Sequence, residues 1–135
     1  YNNALIYDDY AHHPTEIKTV LNSVKQIKHK KNYVIFQSHT FSRTKEHLDE
    51  FADILAEFDN IIIAPIYPAR ETNIYNISED MLVDKIKTKN PHVIYIADFA
   101  KITDYIKEKV QDGDLVITVG AGPVNKIAQD LTKNS

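Results

Sequence analysis

A chain of 135 residues fits one domain, large enough to bury roughly two-thirds of the surface it exposes when unfolded. Its composition, 43% hydrophobic and 26% charged, is ordinary for a soluble globular protein, and a formal net charge of −3 argues against broad attraction to nucleic acid or anionic membranes. No apolar run approaches the ~20 residues of a membrane span and no signal peptide is visible, while the absence of cysteine removes disulfides and thiolate metal sites and fits a cytoplasmic protein.

Apolar runs and helical-period segments alternate along the whole chain. Leu5-Ile6-Tyr7 reads as a first strand, and Pro14 with the spacing Ile17, Val20, Leu21, Val24, Ile27 predicts an amphipathic helix. Tyr33 to Phe36 is a second strand, apolar throughout as when both sheet faces are covered. Ser42 to Phe58 is predicted as one helix, with Leu48, Phe51, Ala52, Leu55 and Phe58 on one face. Ile61 to Ala64 is a third, β-branched strand, expected to be central. An irregular stretch, Pro65 to Ile77, leads to a helix capped by Ser78 and ending near Lys89. Val93 to Ile96, a helix over Phe99 to Val110, Leu115 to Val119, and a helix over about Val124 to Leu131 complete the series.

Five strand–helix units with short connections predict an α/β fold: a doubly wound, Rossmann-like, mainly parallel sheet of five to six strands with helices on both faces. With three glycines and no linker, residues 1–135 read as a single domain. The absence of an initial methionine before Tyr1 adds the expectation that it is excised from a longer protein.

In a parallel sheet every strand-to-helix loop emerges on one edge, so distant residues converge there. The densest chemistry is Asp8-Asp9-Tyr10-Ala11-His12-His13-Pro14: two carboxylates, a phenol and two imidazoles between a strand and a helix. Adjacent histidines rarely hold one metal ion, and no carboxylate follows at a spacing that would complete a site, so ligand hydrogen bonding or helix capping is the better reading. Thr15-Glu16 does not form a proper capping box, which leaves Asp9 or His13 to cap. The second loop, Gln37 to Thr44, carries His39 and places Arg43 in the first helical turn, where a cation is unfavourable unless it meets an anion. Guanidinium, imidazole and backbone N–H groups can clamp a carboxylate or phosphate; a surface arginine paired with Glu46 or Glu50 is the alternative. The third loop holds Tyr67-Pro68-Ala69-Arg70-Glu71. Gly120-Ala121-Gly122 has the place of a phosphate loop, but Asn125 stands where a third glycine belongs and no GxxxxGK[ST] occurs, so close strand–helix packing is the better reason for these glycines.

The segment Asp8 to Glu16 resembles the Mur ligase family, in its alanine-adding branch. Three further segments agree in order and spacing: His39 to Thr44, Ile66 to Glu71, and Gly113-Asp114-Leu115 through Gly122. The resemblance covers nearly the whole chain and is to the family's carboxy-terminal domain only. It implies a reaction of peptidoglycan precursor synthesis in which ATP phosphorylates the carboxylate of UDP-N-acetylmuramate and L-alanine attacks the acyl phosphate. Amino-terminal and central domains, absent from this chain, would hold the UDP-sugar, the phosphate loop and Mg2+. Carried over by position, Asp9 would bind the ATP ribose, and Tyr10, His12, His39 and Arg43 would surround the amino acid. His13, Arg70 and Glu71 rank lower, and the resemblance implies no catalytic residue or metal ligand in this chain. Two positions depart from the family pattern: Ser38 where proline is usual and Pro123 where aspartate is usual. A related branch that attaches a recycled murein tripeptide shares the first segment but usually not His-Thr-x-Ser-Arg. That branch, and a freestanding anion- or nucleotide-binding module, are the alternatives.

Overall fold

A computed structural model describes residues 2–133. Its strands are β1 (Leu5–Asp9), β2 (Asn32–Phe36), β3 (Asn60–Ile63), β4 (Val93–Tyr95) and β5 (Leu115–Val119). The helices are α1 (Pro14–Gln26), α2 (Phe41–Glu46), α3 (Leu48–Leu55), α4 (Glu79–Lys87), α5 (Phe99–Lys109) and α6 (Asn125–Lys133). All five strands are parallel, in the order β1-β5-β2-β3-β4. None of the helices is long and apolar enough to cross a membrane among the described residues.

The sheet separates two apolar layers. Alternation along β2 sends Val34 and Phe36 to one face and Tyr33 and Ile35 to the other, which is why the strand reads as continuously apolar. The first layer joins them to Ile17, Leu21 and Val24 of α1, Phe51 and Leu55 of α3, and Leu82 and Ile86 of α4. The second takes Ile102 and Ile106 of α5 with Ile127 and Leu131 of α6. Each such fully buried aliphatic side chain contributes about 1.5–3 kcal/mol relative to exposure.

The winding reverses once, between β4 and β5. The chain steps outward from β1 through β4, then returns to insert β5 between β1 and β2. Helices following β1 and β2 therefore cover one face, while α6, following β5, covers the other. The carboxyl ends of β1, β5 and β2 thus border a topological switch point, the crevice where open α/β sheets bind ligands.

Four expectations need correction. Asp8 and Asp9 belong to β1, because their backbones pair with Thr118 and Val119. The predicted Ser42–Phe58 helix is two helices broken at His47, whose φ of −113° and ψ of 20° leave the helical region. The middle of the sheet is β2; β3 lies one strand from the edge. Ser78 occupies the N-cap position of α4 but makes no side-chain cap, and Glu79 instead accepts from the Ile66 N–H at 2.8 Å.

Candidate functional site

Three loops meet at the switch point. After β1, the Asp9 side chain accepts from the Ala11 N–H at 2.9 Å, an Asx turn that directs the chain across the sheet edge. His13 caps α1, its Nδ1 accepting from the Thr15 N–H at 3.4 Å, and Glu16 reaches back to accept from the His13 N–H at 3.1 Å. This is a complete capping box with histidine in place of serine or threonine. Glu16 also accepts from the His12 N–H at 3.3 Å, and these two backbone bonds hold its carboxyl below the usual glutamate range.

The same turn sets the tautomer of His12. Its Nδ1 lies 3.2 Å from the Tyr10 carbonyl, which can only accept, so the proton sits on Nδ1 and the neutral ring presents Nε2 as an acceptor. The Tyr10 ring meets His12 edge-on, with centroids 6.0 Å apart, and is itself 69% exposed, so its hydroxyphenyl group is available to a ligand or another surface.

After β2, buried Gln37 ties the edge together. Its amide nitrogen donates to the Pro65 carbonyl at 3.0 Å, and its oxygen accepts from the Val124 N–H at 3.2 Å. Gly120 and Gly122 lie against it: a Cβ on Gly120 would stand 2.7 Å from the Gln37 carbonyl, and one on Gly122 2.7 Å from Gln37 Oε1. The glycines serve close packing, as the sequence indicates. Ser38, one of the two departures, is buried and donates to Thr44 Oγ1 at 2.5 Å, while Thr44 donates to the Thr40 carbonyl at 2.6 Å.

His39 and Arg43 flank Thr40, whose φ of 64° and ψ of 152° are strained for a β-branched residue. The turn is held by the Thr40 N–H donating to the Tyr67 carbonyl at 2.8 Å and the Tyr67 N–H to the Ser38 carbonyl at 2.9 Å. His39 consequently lies between His12 and Tyr67, with centroid separations of 5.8 and 5.7 Å. Its Nδ1 is buried without a hydrogen-bond partner among the described residues. Burial first, then the Arg43 charge and then His12, hold its pKa below the ordinary imidazole value, with Glu71 acting the other way.

Tyr10, His12 and His39 thus stand together, with Arg43 near enough to act on His39. Arg43 is exposed, and Glu46 and Glu50, its alternative partners, face His47 at 3.9 and 3.0 Å instead. Asp9 lies at the start of the same turn. His13 is turned to capping, and its ring packs on His47 at 5.0 Å. Glu71 accepts from the Ser42 N–H at 3.0 Å and from the Ser42 hydroxyl. Arg70 is exposed beside it and makes no hydrogen bond or ion pair with these residues among those described. Gln37, Ser42 and Tyr67 were missed as individual contributors; their roles depend on partners in other loops, and only their place at strand ends marks them. A concavity of about 620 Å³ lined by Lys30, Glu57, Asp59 and Asn90 lies at the opposite edge of the sheet, away from this chemistry.

This arrangement defines a doubly wound α/β domain whose polar groups gather at the carboxyl edge of the sheet. A family model described as the Mur ligase, glutamate ligase domain matches residues 1–122, and the chain belongs to the Mur ligase family. UDP-N-acetylmuramate–L-alanine ligases are among its relatives. That of Lachnospira eligens is 44% identical over 133 residues, or 98% of this chain and 29% of the relative. That of Caldicellulosiruptor saccharolyticus is 45% identical over 131 residues, or 97% and 29%. The chain therefore spans less than a third of the curated relatives it matches. Among solved structures, a UDP-N-acetylmuramate–alanine ligase from Thermotoga maritima superposes with a TM-score of 0.73 at 23% identity, covering 93% of this chain and 25% of that one. A domain of a putative ligase from Haemophilus ducreyi does so with 0.68 at 19% identity, covering 98% of this chain and 92% of that one. At these identities the likeness is one of fold.

Proposed function

We propose that this chain is the carboxy-terminal, amino-acid- and nucleotide-contacting domain of an ATP-dependent ligase that joins L-alanine to UDP-N-acetylmuramate. The observation that carries the reading is the convergence of His12 and His39 from separate loops at the switch point, with the Arg43 charge beside them. The names of relatives at 44–45% identity support the choice of substrates.

In this reading Arg43, with His39, binds the alanine carboxylate. With its Nδ1 toward the Tyr10 carbonyl, His12 offers Nε2 to the alanine ammonium group, and Tyr10 covers the bound amino acid. Asp9 keeps its Oδ2 without a hydrogen bond among the described residues and accepts from the ATP ribose. Their shared task is positioning: an amine held at the acyl carbonyl reacts as in a unimolecular step, which can be a large share of a two-substrate rate enhancement. The ammonium group first gives up one proton to become the nucleophilic amine; its nitrogen then forms the amide bond, the acyl phosphate's C–O bond breaks, and phosphate leaves as the nitrogen gives up a second proton.

Among the described residues no group of three or more histidines and carboxylates is placed to hold a metal ion, and the chain lacks a phosphate loop. As the family resemblance implies, ATP phosphates and Mg2+ are assigned to the central domain of the longer protein, with the UDP-sugar on its amino-terminal domain, and this chain's residues carry no step through the metal.

Arg43→Ala in the full-length ligase tests the reading. The KM for L-alanine should rise far more than that for ATP; equal rises would remove the carboxylate clamp.

A further inference from the structure

The loops carrying this site are fastened to each other by the side chain of Glu71. Glu71 lies in the loop after β3, and both its carboxylate oxygens are taken by one residue of the neighbouring loop: Oε1 by the Ser42 N–H at 3.0 Å, Oε2 by the Ser42 hydroxyl. Ser42 immediately precedes Arg43 in the first turn of α2. The same two loops are also joined by the main-chain bonds of Tyr67 with Thr40 and Ser38 and by the Gln37 amide on the Pro65 carbonyl.

We propose that Glu71 is a positioning residue: its bidentate hold on Ser42 fixes the turn that aims Arg43 and His39 at the amino-acid carboxylate. The inference rests on the role given to Arg43 and His39 above and replaces the expectation that Glu71 itself touches substrate.

Two further observations support it. Thr40, between His39 and Arg43, sits at φ 64° and ψ 152°, a conformation that persists only where the surroundings over-determine it. Tyr67 holds the start of that turn and Glu71 holds its end, so the strained residue is clamped from both sides by one loop. The Glu71 carboxyl is held below its usual range chiefly by the two Ser42 donors, so it is ionised and a poor partner for an anionic substrate group.

The test uses the full-length ligase with Arg43→Ala as reference. Glu71→Ala should raise the KM for L-alanine about tenfold or more, since an ångström of misplacement can cost ~10²-fold, and leave the KM for ATP nearly unchanged. Glu71→Gln keeps an acceptor for the Ser42 N–H and an amide for the hydroxyl, and should restore most of the alanine KM. If Glu71→Ala does not fold, Ser42→Ala, which removes one of the two bonds, carries the test with a smaller rise confined to alanine. An unchanged alanine KM, or equal rises for alanine and ATP, overturns the positioning role while leaving the proposed function intact. Absence of alanine-dependent turnover in the unsubstituted ligase overturns both.

Discussion

The imidazoles of His12 and His39 face one another with centroids 5.8 Å apart, although they belong to different strand-to-helix loops. A proton on His12 disfavours one on His39. Burial, the Arg43 charge and His12 all disfavour its cation, and its buried Nδ1 has no acceptor waiting for a second N–H.

In the unfolded chain the His39 imidazole titrates near roughly 6.5; in the folded domain it titrates lower. Between those values the unfolded chain binds more protons, so folding stability falls as pH drops through that window and levels off below the folded pKa. An NMR titration should place the His39 ring below its ordinary value, and His39→Gln should flatten the fall of the thermal midpoint in the same window. A ring titrating at or above the ordinary value would refute this.

The α1 cap gives a second prediction. His13→Ala removes the acceptor for the Thr15 N–H, and Glu16→Ala removes the acceptor for the His12 and His13 N–H groups. Loss of a cap of this kind costs about 0.5–2 kcal/mol, which denaturant unfolding resolves. Glu16 has its folded pKa lowered, so its contribution is complete above the ordinary glutamate pKa and is lost as pH falls through the folded value. In Glu16→Gln this acid-side loss should disappear. Identical denaturation midpoints for His13→Ala, Glu16→Ala and the unsubstituted protein would dismiss the capping box.

Much of the fold is legible because it rests on local patterns. β5 begins and ends where its apolar run does, at Leu115 and Val119, since both faces of an interior strand are buried. Legibility fails where pairing or breaks override composition. Asp8 and Asp9 look like loop residues, yet strand pairing continues through them; Asp8 sits at the exposed end of β1, its side chain bonded to Thr118. The break at His47 is hidden because the apolar period runs on through Leu48, Phe51 and Leu55 on its far side. The site is legible as a set of residue types at strand ends. Its wiring is not: Glu71 and Ser42 lie 29 residues apart, and no local period encodes their contact.

The proposed division of labour predicts that these 135 residues alone ligate nothing. The chain contains no GxxxxGK[ST] loop to cradle the phosphates of ATP, and the positioning groups at His12, His39 and Arg43 act only on an amine presented to an acyl phosphate. ATP-dependent amide formation by the isolated chain, followed by phosphate release with L-alanine present, would overturn the assignment of the phosphoryl step to another domain.

The sharpest structural prediction concerns Gly122. A Cβ there would stand 2.7 Å from Gln37 Oε1, 3.0 Å from Tyr67 Cγ and 3.2 Å from Tyr67 Cβ. Gln37 cannot swing away cheaply, because its amide nitrogen is bonded to the Pro65 carbonyl and its oxygen to the Val124 N–H. Gly122→Ala must therefore either break a buried hydrogen bond or displace Tyr67, on which His39 leans. Overpacking of this kind costs about 1–3 kcal/mol, and leaving a buried polar group unpaired a similar amount. Gly120→Ala meets backbone instead, the Gln37 carbonyl at 2.7 Å, and its φ of 154° adds strain, so it should cost more still. Thermal unfolding should rank the variants as unsubstituted, Gly122→Ala, Gly120→Ala in falling order of midpoint. Combining Gly122→Ala with Gln37→Ala should recover part of the loss from the clash, because the obstructing amide is gone. A Gly122→Ala variant as stable as the unsubstituted protein would show that the edge yields, and that Gln37 does not hold the three loops together.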